Sequence, residues 1–191
     1  MKRTPALLAL VLVLGAGSLK SQDIPPPNPG LALNLVSDNI IEFTFDEFIE
    51  YQNGINAGQS TFIRIGAIYD WKLQFNADEL TFIGVLPGST MALNNLGVTI
   101  SSIGTNTEFN GHITNLATVP IGLESGYVTL LTPGTLTNKG YHYENRFTLN
   151  WEMGTMLGTM NGVSMLDQMI SGLIKADNYT VNVILTLSVY P

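Results

Sequence analysis

Residues 179–190 read Y-T-V-N-V-I-L-T-L-S-V-Y. A side-chain period of two and a rich β-branched content fit a strand with one face buried, and not a helix. Shorter runs of the same kind precede it at 41–45, 62–65, 71–75, 80–86, 98–103, 127–131 and 146–153. Turn dipeptides separate them: Asn53-Gly54, Pro87-Gly88, Asn110-Gly111, Pro133-Gly134, Lys139-Gly140 and Asn161-Gly162. Only residues 163–175 carry helical spacing, through Met165, Leu166, Met169, Ile170 and Leu173, with Gly172 weakening it. We therefore expect an all-β chain: a single immunoglobulin-like antiparallel β-sandwich with an extended N-terminal arm and at most one short helix. The irregular loop lengths favour the sandwich over a closed barrel. No internal repeat is read in the chain.

The first 21 residues have the layout of a cleaved signal peptide. Lys2 and Arg3 precede an apolar run from Ala6 to Ala16, and small residues follow at Gly17, Ser18 and Ser21. The run is short of the roughly 20 residues that a spanning helix needs. Cleavage is expected after Ser21, with Ser18 the other candidate. Residues 22–37 then form a Pro-rich spacer and an arm, and residues 38–191 the sandwich domain. In the spacer, four prolines within residues 23–30 impose an extended course. In the arm, Leu31, Leu33 and Leu35 share one side of an extended strand.

Charge and cysteine content narrow the function. Of 191 residues, 8 are Lys or Arg and 15 are Asp or Glu. Losing residues 1–21 removes three cations and no carboxylate, leaving a net charge of −10. Such a surface repels nucleic acid and anionic lipid, so neither a nucleic-acid partner nor membrane insertion of the mature chain is expected. With no Cys, thiol nucleophiles, Fe–S clusters and thiolate zinc sites are excluded, and stability must come from core burial and sheet hydrogen bonds.

No G-x-S-x-G, H-E-x-x-H, P-loop or G-x-G-x-x-G motif occurs. The acidic stretch Asp46-Glu47-Phe48-Ile49-Glu50 lacks calcium-loop spacing and reads as a solvated loop closing a strand. His112 and His142 have no partner motif for a metal. No enzyme, cofactor or metal is expected. Trp71 and Trp151 read as core residues. Tyr141, His142 and Tyr143, beside Gly140, are the candidate ligand contacts, as a stacking platform for carbohydrate.

The ending from Ala176 to Val183, with alternation up to the penultimate Tyr190, resembles the last strand of chaperone–usher pilins of the archaic, spore-coat-protein-U-like type. The exported layout and the leucine-bearing arm resemble them too. Asp177 stands where these pilins tend to have Gly, and their cysteines are absent. The resemblance implies an immunoglobulin-like sandwich lacking one strand, which a periplasmic chaperone and then the arm of the next subunit supply. It implies a structural role for Tyr179 and Tyr190, flanking Val181 and Val183 on the last strand. The expected function is thus a non-enzymatic subunit of a cell-surface pilus or fibre. Such a subunit would polymerise with copies of itself through the arm and meet a chaperone and an outer-membrane usher. The other reading is a secreted or surface-exposed β-sandwich binding module, for carbohydrate or adhesion.

Overall fold

The computed structural model describes residues 30–37, 40–56 and 58–191, together with the backbone of Leu8–Val13. The signal-peptide features outside Leu8–Val13, both cleavage candidates and the prolines of the spacer lie outside the described residues. In chain order the strands are β1 (Leu8–Val13), β2 (Leu31–Leu35), β3 (Ile40–Phe45), β4 (Ser60–Ala67), β5 (Trp71–Ala77), β6 (Phe82–Gly84) and β7 (Thr90–Met91). There follow β8 (Leu96–Ser102), β9 (Ile113–Asn115), β10 (Ile121–Gly122), β11 (Val128–Pro133), β12 (Gly140–Met153), β13 (Tyr179–Thr180) and β14 (Val183–Val189). Two short helices, α1 (Phe48–Asn53) and α2 (Met165–Ile170), complete the fold. The chain is an all-β sandwich.

Three sheets enclose the core, in the orders β3-β1-β13-β6-β7, β10-β8-β12-β4-β2 and β14-β5-β11-β9. Pairing is antiparallel except between β1 and β13. The long β12 anchors the second sheet, pairing with β4 on one side and β8 on the other. Its inward row of Phe147, Leu149, Trp151 and Met153 is buried, as is the row Trp71, Leu73, Phe75 and Ala77 on β5. Trp71 meets Phe147 edge-on with ring centroids 5.9 Å apart, tying two sheets across the core. Trp151 donates its indole N–H to the hydroxyl of Thr61 at 3.0 Å. Both tryptophans are core residues.

Two local expectations need correction. Residues 179–190 form two strands in different sheets, β13 and β14, with the break at Val181 and Asn182. Asp78 enforces that break: its carboxylate accepts the backbone N–H and the side-chain amide of Asn182, at 3.1 and 2.6 Å. The second correction concerns the acidic stretch, where a helix, α1, stands in place of a loop. The Glu50 carboxylate reaches back to accept the N–H groups of Asp46 and Glu47, at 2.7 and 3.1 Å, satisfying donors that a helix start would leave unpaired. The described residues accordingly hold two short α-helices, not at most one, besides a 3-10 turn at Leu93–Asn95.

Candidate functional site

Strands β3 and β13 lie in one sheet but do not pair with each other; β1 runs between them. The β1–β3 register is continuous: Leu8 stands opposite Phe45, Leu10 opposite Phe43, Val11 opposite Glu42, Leu12 opposite Ile41 and Val13 opposite Ile40. On its other edge, Leu10 pairs with Tyr179. Take away residues 8–13 and a slot one strand wide opens between β3 and β13.

Both lips of this slot are fixed by their own sequence. On β3 the alternation I-I-E-F-T-F buries Ile41, Phe43 and Phe45 and exposes Ile40, Glu42 and Thr44. Tyr51 of α1 packs on Phe45 at a centroid distance of 5.1 Å and donates its hydroxyl to the Phe45 carbonyl at 3.0 Å. On the other lip, Tyr179 is fully buried, and its hydroxyl lies 2.8 Å from that of Ser89. The same oxygen donates to the Lys175 carbonyl at 3.0 Å and accepts the Lys175 N–H at 3.1 Å. A tyrosine at a strand start bonded to backbone just upstream is similar in its hydrogen bonding to the tyrosine corner of β-sandwiches.

Asp177 extends this lip. Its carboxylate accepts the N–H of Leu86 at 2.9 Å and of Asn178 at 2.8 Å. Burial pushes its pKa upward, but hydrogen bonds from Leu86, Ser89, Asn178 and Val85 outweigh it and hold the group below the ordinary 3.8. Gly84 must stay a glycine here, because a Cβ would lie 2.3 Å from the Asp177 carboxylate.

The arm residues sit elsewhere. Leu31, Leu33 and Leu35 belong to β2, opposite Ala67, Ile65 and Ile63 of β4 in the same chain. Leu31 is buried, while Leu33 and Leu35 are half-buried against the core. This strand occupies the edge of its sheet, and Val36 prolongs it by donating to the Phe62 carbonyl at 2.8 Å. On the last strand Tyr179, Val181 and Val183 are buried; Tyr190 is 42% exposed, its N–H donating to the Asp70 carbonyl.

The third group, Tyr141-His142-Tyr143, is carried on a β-bulge. The β12–β4 register moves from Gly140 opposite Ala67 to Asn145 opposite Ile65, and the residues between are pushed outward. The Glu144 carboxylate closes the bulge by accepting the Tyr141 N–H at 2.7 Å. Gly140, at φ 152°, permits that approach, since a Cβ would lie 2.6 Å from this carboxylate. Tyr141 and Tyr143 stack at 5.7 Å with an interplanar angle of 8°, both more than half exposed. Tyr141 and His142, not Tyr143, line a hollow of about 480 Å³ with Leu31, Ala32, Ala67 and Ile68. His112 instead turns its Nδ1 to the Thr137 carbonyl.

Pairing of residues 8–13 exposes a feature that the sequence reading passed over. They read L-A-L-V-L-V, and residues 31–36 read L-A-L-N-L-V, identical at five of six positions. The chain therefore does contain a short internal repeat. It went unseen because its first copy lies inside the apolar run assigned to export. The alternation of β3 likewise marks a half-buried strand and carries no sign of its own that the strand walls a slot.

No family model matches this chain, and no curated protein does either.

Proposed function

We propose that this chain is a non-enzymatic structural subunit of an extracellular fibre or pilus, joined to its neighbours by strand addition into the slot between β3 and β13. The observation that carries this reading is the identity of the strand in that slot. Residues 8–13 are the apolar centre of the expected signal peptide, so cutting after Ser21 or Ser18 would remove them. Two strand edges would then face solvent, beside a buried row of Ile41, Phe43, Phe45 and Tyr179. Unpaired edges with apolar neighbours are what sandwiches avoid, so a strand from outside must cover them. Three leucines entering such a slot supply about 1.5–3 kcal/mol each before ordering costs. On this reading a periplasmic chaperone covers the slot before assembly, and an outer-membrane usher passes the subunit on. The alternation of the last strand and the corner at Tyr179 support the likeness to archaic chaperone–usher pilins.

The test is a gel of surface material sheared from cells that make the protein, run in SDS with and without boiling. Strand-exchanged polymers give a ladder at integer multiples of the mature mass, collapsing to one band on boiling. A monomer band in both lanes refutes the reading.

A second reading has its own observation, the exposed Tyr141–Tyr143 stack beside the hollow. It makes the protein a surface binding module whose tyrosines stack on a sugar ring. Glycan-array binding that disappears in Tyr141→Ala and Tyr143→Ala, with the ladder unchanged, would support it.

A further inference from the structure

We propose that the hollow beside Tyr141 seats one neutral sugar ring and that β2 forms one of its walls, so that a bound sugar holds β2 on β4. This rests on the sugar-binding reading above and adds the charge class of the ligand, its seat and its coupling to the arm. The hollow is assembled from three parts of the chain. Leu31 and Ala32 come from β2, Ala67 and Ile68 from the end of β4, and Tyr141 and His142 from the bulge of β12. The first two walls meet where the Ile68 N–H donates to the Gly30 carbonyl at 2.9 Å. Because β2 is an edge strand bonded to β4 alone, one wall of the site is carried by a segment whose opening breaks a single ladder.

The lining selects the ligand. No Asp, Glu, Lys or Arg lines the hollow, and its volume of about 480 Å³ lies within the range of about 300–1,000 Å³ usual for small-molecule sites. Tyr141 is 68% exposed, and the near-parallel ring of Tyr143 backs it, so an aromatic face is held out at the rim. A sugar ring suits such a wall: its C–H face covers the tyrosine while its hydroxyls stay in water. The His142 imidazole offers a hydrogen-bonding partner to one of those hydroxyls. An acidic sugar would instead meet an acidic chain and the Glu144 carboxylate, which accepts the Tyr141 N–H at 2.7 Å. The shared wall then couples ligand to arm. A sugar that binds only while β2 is docked favours the docked state in proportion to its concentration over its Kd. By the same linkage, a chain whose arm has left β4 keeps Tyr141 but loses Leu31 and Ala32, and it releases the sugar.

The test uses the monomeric chain purified from cells expressing the full-length gene. Saturation-transfer NMR reads binding of methyl galactoside, methyl mannoside, N-acetylglucosamine and fucose, with glucuronate as the acidic probe. At least one neutral sugar should bind, glucuronate should not, and Tyr141→Ala should abolish the signal. Ala32 is exposed on β2, so Ala32→Trp fills the hollow from the arm side and leaves the core untouched. It should weaken binding at least about tenfold with an unchanged melting temperature. Hydrogen exchange reads the coupling at the Val36 N–H, which donates to the Phe62 carbonyl at 2.8 Å while the arm is docked. Where this amide exchanges by local opening, ahead of the central β12 amides, sugar at roughly 20 times its Kd should slow it about 20-fold. Sugar binding that Ala32→Trp leaves intact, or that leaves Val36 exchange unchanged, keeps the sugar reading and overturns the arm as a wall. Glucuronate binding as tightly as the neutral sugars overturns the charge class. No binding of any probe to the unsubstituted chain refutes the sugar reading itself.

Discussion

Asn138 binds the backbone of Trp71 as a neighbouring strand would. Its side chain accepts the Trp71 N–H at 3.0 Å and donates to the Trp71 carbonyl at 2.8 Å, and its own carbonyl accepts the Trp71 indole N–H at 2.8 Å. Asn138 is fully buried, and a chain of amides continues from it. The Asn145 amide donates to the Asn138 carbonyl at 3.1 Å, and Asn106 donates to Asn145 at 2.9 Å. A polar side chain thus completes the ladder at the first residue of β5, next to the Trp71–Phe147 contact of the core.

Replacing Asn138 with alanine leaves the buried Trp71 N–H and carbonyl without their side-chain partners. Each orphaned group costs about 1–3 kcal/mol, so Asn138→Ala should lose about 2–6 kcal/mol. Urea unfolding followed by tryptophan fluorescence measures it. A loss under 1 kcal/mol would mean that water or a shifted backbone takes over these bonds.

The tyrosines at the two ends of the last alternating run should behave oppositely. Tyr179→Phe removes a hydroxyl that bridges Ser89 and Lys175, at a cost of about 1–2 kcal/mol. Tyr190→Phe alters a half-exposed ring and should change stability by less than about 0.5 kcal/mol. Chemical denaturation of the two variants in parallel checks the contrast, and equal effects would remove the corner from its place in the slot's lip.

Acid should weaken the fold through two carboxylates. Burial raises the pKa of Asp70, but hydrogen bonds from Thr137 and Asn138 and the nearby Lys139 ammonium bring it below 3.8. Asp177 is lowered likewise. Groups whose folded pKa lies below the unfolded value stabilise the fold at pH above the unfolded pKa, near 3.8. They lose that contribution as pH falls through the folded pKa. Melting temperature measured from pH 6 to pH 2 should therefore drop below about pH 4. The drop should be shallower in Asp70→Asn. An unchanged slope in that variant would sink the assignment.

How much of this was legible in the sequence depended on whether a signal was local. Alternation along 41–45, 71–75 and 146–153 follows from a two-residue period, and strands lie over those spans. Glu50 as a helix cap was hidden, since three carboxylates within five residues, around Phe48 and Ile49, fit a solvated loop equally well until the carboxylate is seen to turn back. The switch between sheets at Asn182 was hidden for another reason: its cause, Asp78, is a hundred residues away. The slot was harder still. Ile41, Phe43 and Phe45 announce a buried face, but only the pairing of β1 shows that their strand has a missing neighbour.

The arm offers the sharpest mutational prediction, because one substitution separates giving a strand from receiving one. Leu33→Asp puts a charge on the inserted strand at the position meant for Phe43, and a buried unpaired carboxylate costs several kcal/mol. In its own chain Leu33 is only half-buried at a sheet edge, so the fold should survive with a smaller loss. Its β3 and β13 lips are unaltered. Such a subunit accepts a neighbour's strand but gives none, and so should end any fibre that it joins. Expressed alone, it should give only the monomer band without boiling. Co-expressed at equal level with the unsubstituted protein, it should shift the unboiled ladder toward dimers and trimers. Band intensities against the dose of the variant measure this, and a ladder of unchanged length would show that Leu33 takes no part in joining subunits.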